Sequence, residues 1–264
     1  STVTGTYTLT AGGSITNSGA LAITGVTTID ASSGNVTLDT TTNNFQGAVK
    51  IDGVNVTVVD AGAIDLGAST VTGTYAVTAT TGGDITDSGI LAITGAATFT
   101  AANGQSIYLD GANTFSNTVT FGSGGTLANV TIRDSNDFDL AALTLSGNLI
   151  ATSTGGSITD SGALAITGTT TLVTSANGAT IVLDTTTNAF TGAVTITTND
   201  NDSPTDGTYA AHVTIDGGTT ALIIAASTID GDLTLRSGNV SGITDSGTVT
   251  VGGDLAATTD ANNG

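Results

Sequence analysis

The chain has 264 residues, 37 of them glycine and one proline, with no cysteine, methionine or tryptophan. All 22 acidic residues are aspartate, and only Lys50, Arg133 and Arg236 oppose them, giving a net charge of −19. This balance excludes nucleic acid as a partner and adsorption to anionic membranes, both of which need clustered cations. No apolar run of ~18 residues is present to span a bilayer.

Threonine, valine and isoleucine abound while the good helix formers are nearly missing. Branching at Cβ suits an extended backbone, and Gly, Asn and Asp suit the turns between strands. The expectation is an all-β chain. With aromatics at only 4%, a narrow aliphatic interior that repeats along an axis fits better than one bulky core. The positive mean hydropathy and the regular apolar positions speak against disorder.

In chain order, the first element is GTYTLTA (Gly5–Ala11), followed by ITNSGALAITG (Ile15–Gly25), a threonine-rich strand, VTLDTTTNNFQGAV (Val36–Val49) and VNVTVV (Val54–Val59). The cycle then returns. GTYAVTA aligns Tyr75 with Tyr7, ITDSGILAITG spans Ile85–Gly95, and IYLDGANTFSNTV aligns Asp110 with Asp39 and Phe115 with Phe45. A third copy brings ITDSGALAITG at Ile158–Gly168 and IVLDTTTNAFTGAV with Asp184 and Phe190. A fourth, weaker one opens at Ile243. The phrases thus start at Ile15, Ile85, Ile158 and Ile243, and the last interval is the longest.

Each long unit divides into pieces of ~22 to 25 residues, the first at Thr4–Gly25, Val26–Ala48 and Val49–Val71. That is the length of one coil of a parallel β-helix, with coils stacked ~4.8 Å apart. The expected fold is a right-handed parallel β-helix (β-solenoid) of ~23 residues per coil, about eleven coils and roughly 50 Å in length. Residues 1–264 are read as one solenoid segment of a longer repetitive protein. Loop insertions are expected near 133–139 (RDSNDFD) and 197–211 (TTNDNDSPTDGTYAA), and loops on a rigid scaffold commonly bind. Alternation alone does not fix strand direction; an antiparallel stack is the competing expectation.

These phrases resemble the β-strand repeats of filamentous-haemagglutinin-like bacterial exoproteins, over nearly the whole chain except Thr197–Ala211. The resemblance implies right-handed parallel β-helices, secretion by a two-partner route, an extracellular or cell-surface location, and roles in adhesion, aggregation or biofilm formation. The partners it implies are a surface glycan or protein on a host or neighbouring cell, or other copies of the chain. A self-assembling filament is the alternative expectation, and a polysaccharide-acting β-helix enzyme a more distant one.

No catalytic constellation stands out. His212, the single histidine, has no nucleophile fixed beside it in sequence and reads as structural or exposed. The alternating pairs Asp137/Asp139 and Asp230/Asp232 could do acid–base work on a glycan, but only Arg133 and Arg236 lie near enough to hold a uronate. No organic cofactor is expected. Calcium is a candidate at Asp200, Asp202 and Asp206, where hard oxygen ligands cluster, and a poorer one at Asp134, Asn136, Asp137 and Asp139. Asp39, Asp110 and Asp184 are expected to cap turns by accepting N–H bonds, with nearby asparagines stacking as a ladder. Phe45, Phe115 and Phe190 are expected in the core at one corner. Glycine pairs such as Gly12-Gly13 lack the lysine of a phosphate loop, and the Thr-x-Thr motifs look too scattered for an ice-binding array.

Overall fold

The computed structural model describes residues 1–201 and 210–260. It divides into two compact units, Ser1–Ile132 and Arg133–Gly264. Among the described residues every regular element is a strand. Each unit is a β-solenoid whose strands pair in parallel with the strand one turn later, which settles the question of direction.

In unit 1 a turn has two halves. One half is a single long strand, such as Tyr75–Ala79 or Ala97–Ala101; the other is a bent pair of short strands, such as Ile85–Asp87 with Leu91–Ile93. Tyr75 pairs with Ala97 and Ala97 with Val119, so successive turns advance the chain by equal steps. Long strands bury alternate residues, as in Tyr75, Val77 and Ala79, and short ones bury their ends, as in Leu91 and Ile93. Each large aliphatic or aromatic residue so enclosed contributes about 1.5–3 kcal/mol. The corner glycine of the LAITG phrase is required by backbone stacking: a Cβ on Gly25 would lie 2.6 Å from the Gly5 carbonyl carbon, and one on Gly47 2.5 Å from that of Gly25. No side chain fits there.

Unit 2 repeats this plan. Leu149–Ser153, Thr170–Thr174 and Val194–Thr197 stack as long strands. Phe138–Leu140, Ile158–Asp160 and Ile181–Leu183 stack beside them as the first members of the short pairs. Phe138 pairs with Ile158 and Thr170 with Val194, steps close to those of unit 1, whereas Ile181 pairs with Val213, a clearly longer one. Of the insertion expected near 197–211, residues 202–209 lie outside the described residues.

Three expectations need correction. Residues 133–139 do not bulge: Val130–Asp134 and Phe138–Leu140 are strands with buried apolar residues, and only residues 135–137 turn between them. The extra length sits earlier, in residues 124–129 between Val119–Ser123 and Val130–Asp134. Phe45 and Phe115 are both buried, but in different sheets. Phe45 belongs to the three-stranded sheet Thr2–Val3, Ala22–Ile23, Asn44–Phe45, whereas Phe115 ends the Ile107–Phe115 strand and packs on Phe99 at 6.0 Å. Finally, threonines are less scattered than they look. Thr16, Thr37 and Thr57 share one outward column, continued after Ala76 by Thr98 and Thr120. The adjacent column reads Val59, Thr78, Thr100, Gly122, so no regular two-column array forms.

Candidate functional site

Ile107–Phe115 runs unbroken along both Ile85–Asp87 and Leu91–Ile93 and counts as a short pair. Among the described residues long strands and short pairs then alternate except at three points, where one long strand follows another. These are Val49–Gly53 before Val56–Asp60, Val119–Ser123 before Val130–Asp134, and Val194–Thr197 before Val213–Asp216. The connector at 124–129 is longer than that at 54–55, and the third segment, 198–212, contains residues 202–209, which lie outside the described residues. Between two such junctions the chain makes seven half-turns, an odd number. Sequence-equivalent segments therefore change sheets from one copy to the next. In unit 1 Ile15 stacks on Val36 while its counterpart Ile85 stacks between Ile64 and Ile107 in the other sheet.

A switch of sheet strands backbone groups, and buried side chains meet them. Phe45 ends its sheet with an N–H that finds no next strand and donates to Asp60 Oδ2 at 2.7 Å; Asp60 Oδ1 accepts the Gly62 N–H at 2.6 Å. Asp60 is fully buried. Burial raises its pKa above the ordinary carboxylate value, against the lowering by these two bonds. The matching residues Asp134 and Asp216 are also buried, and accept the N–H groups of Asn136 (3.2 Å) and Gly218 (2.8 Å).

The first short pair after a junction must bend over a straight strand. Val49 pairs with Leu66 and Asp52 with Thr70, so the bent chain uses one residue more than the straight one. The intervening Ile51 N–H meets no carbonyl and donates to Ser69 Oγ at 3.0 Å, while that hydroxyl donates to Gly67 O at 2.9 Å. Unit 2 uses the same device: Ile196 N–H donates to Ser227 Oγ at 3.0 Å, and Ser227 donates to Ala225 O at 2.9 Å. The Tyr75 hydroxyl is enclosed beside Ser69, and burial pushes its pKa far up against a lowering by that serine.

In each of the first three copies a buried asparagine clamps successive turns. Asn43, Asn113 and Asn188 accept the N–H of Leu21, Leu91 and Leu164 at 2.8–3.0 Å. Their Oδ1 or Nδ2 meets residue 17, 87 or 160: Asn17 donates to Asn43 at 2.9 Å, while Asn113 and Asn188 donate to Asp87 and Asp160 at 2.7 Å. Asp87 and Asp160 also accept the backbone N–H of Asp110 and Asp184. This corrects the capping expectation: the carboxylates of Asp39, Asp110 and Asp184 are exposed, and it is Asp87 and Asp160 that cap. Burial raises the pKa of both, outweighing their hydrogen bonds. In place of the expected asparagine ladder, one pair of asparagines stacks at another corner, followed by a threonine. Asn55 donates to Asn35 Oδ1 at 3.1 Å and accepts the Thr74 N–H at 3.0 Å.

The other residues singled out in sequence are engaged as caps. Asp200 is buried, accepts the Ala210 N–H at 3.0 Å, and donates its own N–H to Asp230 at 2.9 Å. Its proposed calcium partners Asp202 and Asp206 lie outside the described residues. Asp137 accepts the Ser157 N–H, whereas Asp139 takes the Thr159 and Ser161 hydroxyls. Asp232 accepts the Asp254 N–H and donates its own to His212 Nδ1 at 2.9 Å. His212 is 47% exposed; accepting at Nδ1 places a neutral imidazole's proton on Nε2. Among the described residues no three His, Cys, Asp or Glu side chains are grouped to hold a metal.

The comparison with protein families matches repeats of unknown function, DUF5649, to residues 1–52, 53–122, 127–197 and 210–264. These boundaries fall at the three junctions, so one family repeat is one run of half-turns from long strand to long strand. Neither the curated proteins nor the solved structures give a match. With nearly every residue covered by four copies of the repeat, the chain belongs to the DUF5649 family.

Proposed function

We propose that this chain is a non-catalytic, extracellular scaffold: a stiff solenoid spacer from a bacterial adhesin-type surface protein, which holds lateral features for attachment to a surface glycan or protein. The observation that carries the reading is the use of buried polar groups. Asp60, Ser69, Ser227 and the three clamp asparagines all serve to carry hydrogen bonding across turns and repeat boundaries. Stability in such a stack sums over neighbouring turns, so repeats can be added without a new core. Each added repeat presents its equivalent residues on the other sheet. The absence of cysteine and the acidic surface are compatible with secretion. The connectors at Val54-Asn55 and 124–129 differ in length and are where insertion is tolerated.

The test is display of the chain on a non-adherent bacterial surface, with small-angle scattering of the purified protein. Attachment to cells or glycan-coated surfaces together with an elongated scattering profile supports the proposal. A compact profile, or no attachment to any surface tried, refutes it. Long uniform fibres in electron micrographs would instead favour a self-assembling filament.

A further inference from the structure

The first junction leaves a notch on unit 1. Among the described residues nothing stacks as a strand on Asn44–Phe45, the last member of its sheet, and the corner beyond it opens into a groove of about 630 Å³. Asn44, Gln46, Asp65, Asp84, Thr86 and Gln105 line it, with Phe45 and Ile64 buried beneath. Several of these side chains are held in place by one atom. Asp84 Oδ1 accepts the Ser106 N–H at 2.7 Å, Asp65 Oδ2 the Ser88 hydroxyl at 2.7 Å, and Gln105 Oε1 the Gly83 N–H at 3.0 Å. Asp65 Oδ1 is enclosed and has no partner, which leaves the outward acceptors to the other side chains.

The chemistry of the lining narrows the ligand. It contains no lysine or arginine, so phosphate, sulfate and uronate groups would meet two carboxylates without compensation. Its large apolar side chains, Phe45 and Ile64, are covered, so a lipid or aromatic ligand finds no large side chain to pack against. A calcium ion wants six to eight oxygens, and among the described residues no third carboxylate joins the two. What remains is a set of fixed acceptors beside amide and hydroxyl groups that both donate and accept, which is the complement of vicinal hydroxyls. We infer that the groove binds a neutral, hydroxyl-rich ligand of the carbohydrate class. This rests on the attachment reading above and gives it a surface.

The experiment is saturation-transfer NMR on the purified chain with neutral gluco-, manno- and galacto-tetrasaccharides, a uronate tetramer, and calcium chloride alone. Two variants accompany it: Asp84→Ala, which also removes a backbone cap, and Gln46→Ala, at an exposed position where folding is not at stake. Transfer to at least one neutral sugar, none to the uronate, and a loss of about tenfold in affinity in both variants is the expected result. No transfer to any neutral sugar, transfer unchanged in Gln46→Ala, or a calcium-induced change at the groove resonances without sugar would each overturn the inference. If surface attachment persists while the groove binds no sugar, only the groove assignment falls.

Discussion

Ser69 Oγ lies 3.0 Å from the amide nitrogen of Ile51, one turn earlier, and takes the place of a backbone carbonyl that the bend between Leu66 and Thr70 has carried away. Ser227 does the same for Ile196 in unit 2. A hydroxyl at these positions is what allows a bent pair to stack on a straight strand. Replacement of either serine by alanine leaves a buried N–H unpaired and should cost about 1–3 kcal/mol. Urea unfolding of Ser69→Ala and Ser227→Ala checks this; a change below ~0.5 kcal/mol, the size of a neutral surface substitution, would refute the role.

The clamp makes a contrasting pair of predictions. Asn188→Ala should destabilise by about 2–4 kcal/mol, because it strands the Leu164 N–H and removes the amide that satisfies Asp160. Asp87→Asn should be tolerated to within about 1 kcal/mol, since Asn17 already fills that position in the first copy against Asn43. Both are read by chemical denaturation monitored by circular dichroism.

Much of this was legible in the sequence and some was not. The strand character, the stacking of coils and the turn length followed from the repeated phrases, because each long unit divides into pieces of one coil's length, each with alternating apolar residues and its own Gly, Asn or Asp turns. The change of sheet did not follow, because Phe45 and Phe115 occupy the same word and the same buried environment. Only counting half-turns separates them, and the short connector Val54-Asn55 looks like any other turn. The polar clamps were misassigned for a related reason. Asp39 and its counterparts sit beside the bend in sequence, but the residue that reaches that bend comes from the preceding turn, ~22 residues earlier, at Asp87 or Asp160.

One buried carboxylate, Asp60, and two half-buried ones, Asp87 and Asp160, set a pH response. Asp60, Asp87 and Asp160 have folded-state pKa values above the ordinary value of 3.8, chiefly from burial. The folded chain thus binds their protons more tightly than the unfolded chain, and stability must rise as pH falls from neutral through those raised values, levelling off below the ordinary one. Relief of repulsion among −19 net charges acts in the same direction. Melting temperature should increase on going from pH 7 towards pH 5, and the increase should shrink in an Asp60→Asn, Asp87→Asn, Asp160→Asn variant. A melting temperature that falls over this range would contradict the assignment.

The sheet switch itself can be tested by cross-linking, on a chain that has no native cysteine. The alternative pairing of VKIDGVNVTVVD is a two-residue hairpin: Val54-Asn55 would be its turn, and Asp52 would lie opposite Thr57. In the solenoid Asp52 instead pairs with Thr70 of the next turn, and its carboxylate accepts the Thr70 N–H at 2.8 Å. Thr57 points outward from the other sheet, between Thr37 and Ala76. Neighbouring parallel strands place paired Cα atoms about 5 Å apart, within disulfide reach. Asp52→Cys with Thr70→Cys should therefore oxidise to a monomeric disulfide, whereas Asp52→Cys with Thr57→Cys should remain as free thiols under the same mild oxidant. The reverse outcome would mean that the two long strands pair with each other, and the half-turn that separates one repeat from the next would not exist.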